Sequence, residues 1–209
     1  MSSFKLDIEK VIADVALLPI KPQASNNVHY LDLQEEGVDA TLRHLKLSHI
    51  LETDTCISFD VNEGQQFKTY SPYLKSSQDT SFNKRCDFVV IRKHGGVWRV
   101  YFADLKSTRV EVGNIVKQLS SSKLFFDYIL QIIKLEFGNN ELLDYLPRFV
   151  CIHDNATMPA GVFKPTTFPK NSKPLTKKCS ITQKQLIIVP VGITSTGKAK
   201  VSFNQFCAI

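Results

Sequence analysis

The sequence predicts an α/β fold: a mixed central sheet flanked by helices, forming a single domain over 1–209. Three observations support this. A chain of 209 residues that is 43% hydrophobic can bury one core. Short apolar runs closed by turn residues, such as 86–94 and 97–105 around Gly95–Gly96, read as strands. One long segment, 112–137, repeats its apolar residues at helical spacing.

In chain order, residues 5–18 read as a short amphipathic helix, followed by a polar linker. The stretch YLDLQEEGVDATLRHLKLSHIL carries Leu31, Leu33, Val38, Leu42, Leu45 and Leu47 and is expected to form one or two helical pieces interrupted near Gly37. TCISFDV and QFKTYSPYL are strand candidates. CDFVVIRK and VWRVYFADLKS flank a Gly-Gly pair suited to a primed turn, so they form a hairpin. The long helix follows, with Ile115, Leu119, Ser122, Phe126, Ile129, Ile133 and Phe137 along one side and Gly138-Asn139 as its stop. RFVCIHD is nearly all apolar, as a strand covered on both faces would be. The four-proline stretch from Met158 to Ser180 reads as a basic loop, and QLIIVPVGI and AKVSFNQFCAI as strands of a closing hairpin. The core is expected in about 30–154, with a C-terminal basic extension of loop and strands in 155–209.

Composition narrows the function. No apolar run approaches the roughly 20 residues that span a bilayer, and the first residues lack the order of a secretory signal. No membrane partner and a cytoplasmic location are expected. The cysteines at 56, 86, 151, 179 and 207 are odd in number and form no C-x-x-C pair, so neither a disulfide frame nor a zinc knuckle is indicated. The net charge is +6, but residues 155–209 hold eight lysines and no acid. Such asymmetry points to a polyanionic partner. No phosphate-loop signature or nucleophile elbow occurs, which argues against ATP hydrolysis and serine-hydrolase chemistry.

The hairpin is the informative element. It places Asp87, Asp104 and Lys106 inside strands that otherwise read as core. With Gly95 and Gly96 at the turn, the register sets Asp87 directly opposite Asp104, Cβ atoms about 5 Å apart. Opposed carboxylates repel and need a cation, a shared proton or another register. Asp104 and Lys106, two apart, leave one face of the strand, behind Trp98, Val100 and Phe102. A buried salt bridge, Asp104 to Lys106 or Asp87 to Arg85, is the plain structural alternative.

An aspartate in one strand, then Asp-x-Lys at the end of the next, then a long helix resembles the PD-(D/E)XK nuclease superfamily. Its motifs here are RCDFVV with Asp87 and ADLKS with Asp104 and Lys106. Cys86 stands where the family usually has proline. The resemblance implies a restriction endonuclease-like core and a metal-dependent endonuclease that hydrolyses phosphodiester bonds in DNA, in a bacterial or phage restriction or defence setting. It implies Mg²⁺ or Mn²⁺ held by Asp87, Asp104, the Leu105 carbonyl and a glutamate of the first core helix. Glu36 or its neighbour Glu35 fits that place, with Glu52 as a further candidate. Lys106 would position the attacking water, and Gln118 on the following helix would join the site. Lys117, Lys164, Lys170, Lys173, Lys177 and Lys178 are the expected phosphate contacts. A homodimer, or a complex with other defence proteins, is a further expectation. The alternatives are an RNA endonuclease on the same core, and a noncatalytic nucleic-acid-binding or scaffold subunit retaining it.

Overall fold

The computed structural model describes residues 3–23, 28–35, 40–61, 83–107, 110–154 and 173–207. In chain order these give α1 (Ser3–Val11), a 3-10 turn (Asp14–Ala16), β1 (Lys21–Pro22), β2 (His29–Gln34), β3 (His44–Ile50), β4 (Thr55–Ser58), β5 (Phe88–His94), β6 (Val97–Lys106), α2 (Val112–Phe137), β7 (Leu146–Asp154), β8 (Leu175–Lys178), β9 (Gln185–Val191), β10 (Lys198–Ser202) and α3 (Asn204–Cys207).

Two mixed sheets result. The larger runs β4-β5-β6-β7-β9-β8 and the smaller β1-β2-β3-β10. In the larger sheet β6, β7 and β9 are parallel, and antiparallel partners close both flanks. Its middle strands are apolar along their length because both faces are covered. On one side α1 and α2 pack Phe4, Ile8, Ile115, Leu119, Phe126 and Ile133 against Val89, Val100, Phe102 and Cys151. On the other, the smaller sheet packs Leu31, Leu33, Leu45 and Leu47 against Phe88, Val90, Tyr101 and Val150. The molecule is therefore layered as helices, large sheet, small sheet.

A buried ion pair joins the layers. Arg92 on β5 meets Asp54 at 2.5 Å, with both side chains at most 5% exposed. The same guanidinium donates to the His49 carbonyl and lies 4.3 Å from the centre of the Phe203 ring.

The hairpin forms as expected. Gly95 and Gly96 both take positive φ, +58° and +80°, the primed-turn geometry that matches strand twist. The register runs from Phe88↔Ala103 to His94↔Val97. It stops one residue short of the expected carboxylate pair: Asp87 N–H turns to the Ala103 carbonyl instead of continuing opposite Asp104. α2 also forms as read and ends at Gly138, left-handed at φ +68°, whose N–H bonds the Lys134 carbonyl. Phe137 departs from the expected stripe: it is 41% exposed, with Lys10 Nζ 4.8 Å from its ring centre.

Three expectations are corrected. Residues 29–34 and 44–50 are strands, not helix, paired with each other in antiparallel register. QLIIVPVGI and AKVSFNQFCAI form no hairpin: β9 lies between β7 and β8 in the large sheet, and β10 pairs in parallel with β3 in the small one. Lys177 and Lys178 belong to β8, an edge strand held by β9, rather than to a loop. The QFKTYSPYL strand candidate, Glu36, Lys164 and Lys170 lie outside the described residues.

Candidate active site

The site lies at the C-terminal end of β6, and α2 sets its shape. Gln118 and Ser122 stand one helical turn apart on the side of α2 that faces the sheet. Gln118 Nε2 donates to the Arg85 carbonyl at 2.6 Å, and Ser122 Oγ accepts the Cys86 N–H at 2.8 Å. Together they grip the two residues that precede Asp87. A hydroxyl in place of a larger apolar side chain lets helix and strand approach this closely. The same Gln118 nitrogen also donates to Asp104 Oδ1 at 2.9 Å. One amide thus ties the segment leading into Asp87 to the carboxylate of Asp104.

The two aspartates are held differently. Asp104 is fully buried, and its Oδ2 faces Lys106 Nζ at 2.6 Å. Among the described residues that oxygen has no directed hydrogen bond, and the contact is an ion pair. Asp87 is half-buried and accepts the Leu105 N–H with its Oδ2. A residue's N–H and C=O leave the same edge of a strand, so the Leu105 carbonyl lies on the Asp87 side. Ser58 Oγ closes the neighbourhood by donating to the Asp87 carbonyl at 3.0 Å.

Burial and mutual repulsion hold the Asp87 carboxyl well above the usual carboxylate range, with the Leu105 N–H and Lys106 opposing. Burial likewise raises Asp104, and Lys106 offsets part of that rise. Burial works against the charge on Lys106, but the attraction of Asp104 and Asp87 prevails and lifts its pKa above the ordinary value. The two carboxyls titrate as a pair that readily retains a proton.

Across the cleft stands Glu35, at the end of β2. Burial raises its pKa, and Asp104 and Asp60 add to the rise while Lys106 and Ser107 oppose it. Among the described residues its Oε2 is buried without a hydrogen-bond partner. A cavity of about 670 Å³ opens here between the two sheets, lined by Asp32, Gln34, Glu35, Ser58, Asp60, Asp87 and Leu105. That is large enough for a nucleotide-sized ligand. Asp60 of this lining pairs with Arg85 at 2.7 Å.

Comparison of the chain with models of protein families, with curated proteins and with solved structures found no match in any of the three. Any functional reading therefore rests on the site's own chemistry.

Of the site residues named from sequence, the structure brings together Asp87, Asp104, Leu105, Lys106 and Gln118. Glu35 joins them across the cavity from a strand end, not from a helix. Glu52 does not: it sits in the turn before β4, whereas Asp87 adjoins the far end of that strand. Lys117 is exposed on α2. Lys177 and Lys178 are exposed on β8, three strands over from β6, and Lys173 is exposed just before it. None of these lysines reaches the aspartates. Asp60 went unread in the sequence, although it stands two residues past a recognisable strand, and Arg85, expected as a salt-bridge partner of Asp87, pairs with Asp60 instead.

The donor set fits a hard divalent cation in part. Asp87, Asp104 and the Leu105 carbonyl supply oxygen, the element such ions prefer. The Glu35 oxygen without a hydrogen-bond partner is an acceptor open to a positive charge, whereas Asp104 Oδ2 already faces the Lys106 ammonium. Among the described residues, however, no three His, Cys, Asp or Glu side chains gather closely enough to enclose an ion.

Proposed function

We propose that this chain is a metal-dependent endonuclease of the restriction endonuclease-like type, acting on phosphodiester bonds in DNA. The observation that carries the reading is the convergence of Asp87, Asp104, Lys106 and Gln118 at one strand end beside an open acidic cavity. Buried acids that repel each other are costly in a fold, and such costs collect at functional sites. The cavity opens between the sheets, so a substrate can reach the strand end without disturbing either core.

Asp87 and Asp104, with the Leu105 carbonyl, would hold Mg²⁺ or Mn²⁺, and Glu35 faces the same space. When bound, such an ion lowers the pKa of water and neutralises charge on a phosphate. The chain's own residues would do the rest. Lys106, held charged by its two aspartates, orients the attacking water and shields the growing negative charge. Gln118 fixes the Asp104 carboxylate so that its free oxygen stays turned toward Lys106. A defence setting accords with this chemistry, as does a further protein partner.

The test is direct. Purified protein is incubated with duplex DNA, single-stranded DNA and RNA, in Mg²⁺, Mn²⁺ or EDTA. Cleavage of DNA that needs the metal and is abolished by Asp104→Asn is expected. Absence of metal-dependent cleavage on every substrate would sink the reading. Cleavage of RNA alone would move it to the ribonuclease alternative.

A further inference from the structure

The outward face of α2 is apolar where a helix that borders solvent is usually charged. Leu124 is 69% exposed, Tyr128 61% and Leu135 81%. With Gln131 between the last two, these residues follow one another at steps of four, three and four. At 3.6 residues per turn all four project within about 60° of one another. The buried side of the helix, which carries Leu119, Phe126 and Ile133, lies directly opposite. Alternating steps of four and three make the kind of seam along which two helices pack. An exposed apolar row of this length marks a contact surface rather than scattered surface residues.

The seam is complementary to itself in one orientation. A two-fold axis between residues 129 and 130 sets α2 antiparallel to a second copy of itself. Leu124 then lies opposite Leu135 of the second copy, and Tyr128 opposite Gln131 of the second copy. Symmetry repeats each pairing, which gives four layers. Across such an axis like flanks meet, so Asp127 comes beside Lys134 of the second copy, twice over. Asp127 already accepts from Lys123 Nζ and the Tyr145 hydroxyl, which hold its carboxylate in place. Its side chain is still 35% exposed and has lone pairs to spare. Lys134 is exposed, and among the described residues its ammonium has no carboxylate within salt-bridge range. A parallel pair loses this match. Tyr128 and Gln131 would each meet their own copies, while Asp127 and Lys134 would face Ile132 and Asn139 of the second copy.

We propose that the outward face of α2 binds a second copy of this chain, the two helices running antiparallel in that register. A single helix pair of four layers is small among specific interfaces, so the dimer forms and dissociates with concentration. The contact lies on the helix side of the large sheet and leaves the cleft between the sheets open. It does not depend on the nuclease reading.

The experiment measures molar mass by sedimentation equilibrium over a range of protein concentrations. It compares wild type, Leu124→Ser/Leu135→Ser, Lys134→Glu, and Lys198→Glu as the same charge change on the small sheet. All four positions are exposed, and melting curves confirm that each variant is folded. Wild type is expected to pass from monomer to dimer as concentration rises. The leucine pair is expected to weaken association by about 100-fold or more, because four leucines leave the interface. Lys134→Glu sets a carboxylate beside Asp127 of the second copy and is expected to weaken it by about 10-fold. Lys198→Glu is expected to match wild type. Orientation is read by treating Leu124→Cys and Leu135→Cys with a short bis-maleimide, each alone and mixed, with wild type as the blank for the native cysteines. The mixture is expected to cross-link far more than either variant alone, since like positions lie about 16 Å apart along the axis of an antiparallel pair. Wild type that stays monomeric at every concentration overturns the proposal, and so does a dimer that the leucine pair leaves intact. Cross-linking of each variant with itself as well as in the mixture, or no effect of Lys134→Glu, overturns the antiparallel register.

Discussion

Lys106 Nζ lies 2.6 Å from Asp104 Oδ2, and the lysine is 30% exposed while the aspartate is fully buried. Asp104 has a second partner in Gln118, and its pKa is already raised, so loss of the ammonium can be met by taking up a proton. Lys106→Ala is therefore expected to cost about 1–3 kcal/mol of stability. Single-turnover cleavage is expected to fall by about 10²–10³, the scale for losing one preorganised electrostatic group. Thermal melting and cleavage on one sample decide. A folded variant with full cleavage makes Lys106 a structural partner only.

Gln118 offers a sharper electrostatic test. Its amide donates to Asp104 and to the Arg85 carbonyl. Gln118→Ala removes both donors and is expected to cost about 1–3 kcal/mol. Gln118→Glu keeps the shape but adds a carboxylate against Asp104. At pH 7 it should be less stable than the alanine variant, and near pH 4 the difference should shrink. A difference independent of pH would mean that Asp104 carries no charge at neutrality.

The acids also set a pH dependence. Asp87, Asp104 and Glu35 all have raised pKa values in the folded protein, against about 4 in the unfolded chain. Their protonated forms are favoured by folding. That contribution is present in full below about pH 4 and is lost as pH rises through the raised folded values. In EDTA, stability from these groups should decline over that window. Mg²⁺ should restore it at neutral pH and do little near pH 4, where protons occupy the carboxylates. Asp104→Asn should abolish the Mg²⁺ effect. Melting curves with and without Mg²⁺ across pH 4–8 check this, and an Mg²⁺ shift that is equal at both ends contradicts it.

Arg92 and Asp54 test the joint between the layers. Both are buried, and the guanidinium has partners in three elements. Asp54→Ala strands a buried cation and is expected to cost about 3–5 kcal/mol in urea denaturation. Asp54→Leu/Arg92→Met, which removes both charges, is expected to cost less than the single change. A double variant that is less stable than Asp54→Ala would show that the pair stabilises beyond its own desolvation.

The parts legible in the sequence were those whose periodicity was unambiguous. The Gly95–Gly96 turn, the apolar run of β7 and the helical stripe of α2 each had one reading. Residues 29–50 had two. Leu42 and Leu45 suit a helix, yet Leu31, Leu33, Leu45 and Leu47 alternate as strands buried on one face do, and tertiary pairing selected the second reading. Glu35 was singled out for a helix and stands at a strand end. The dyad's residues were visible, but their geometry was not. A register extrapolated from the turn places Asp87 opposite Asp104, while the chain breaks from the ladder at Asp87 to bond Ala103. Asp60 meets Arg85 only in the folded chain, and no local pattern marks Asp60 as the partner that Arg85 takes in place of Asp87.

The pairing of β10 with β3 carries a consequence for synthesis. Ser48 Oγ on β3 bonds the Val201 carbonyl, 153 residues further along the chain. A ribosome working at about 5–20 residues per second needs about 8–30 s to cover that distance. During that time β2 and β3 can pair with each other, but the outer edge of β3 lacks its neighbour. The wall that carries Glu35 is thus finished after the hairpin that carries Asp87 and Asp104. A nascent chain would display the acidic dyad before β10 had completed the small sheet that walls the cleft.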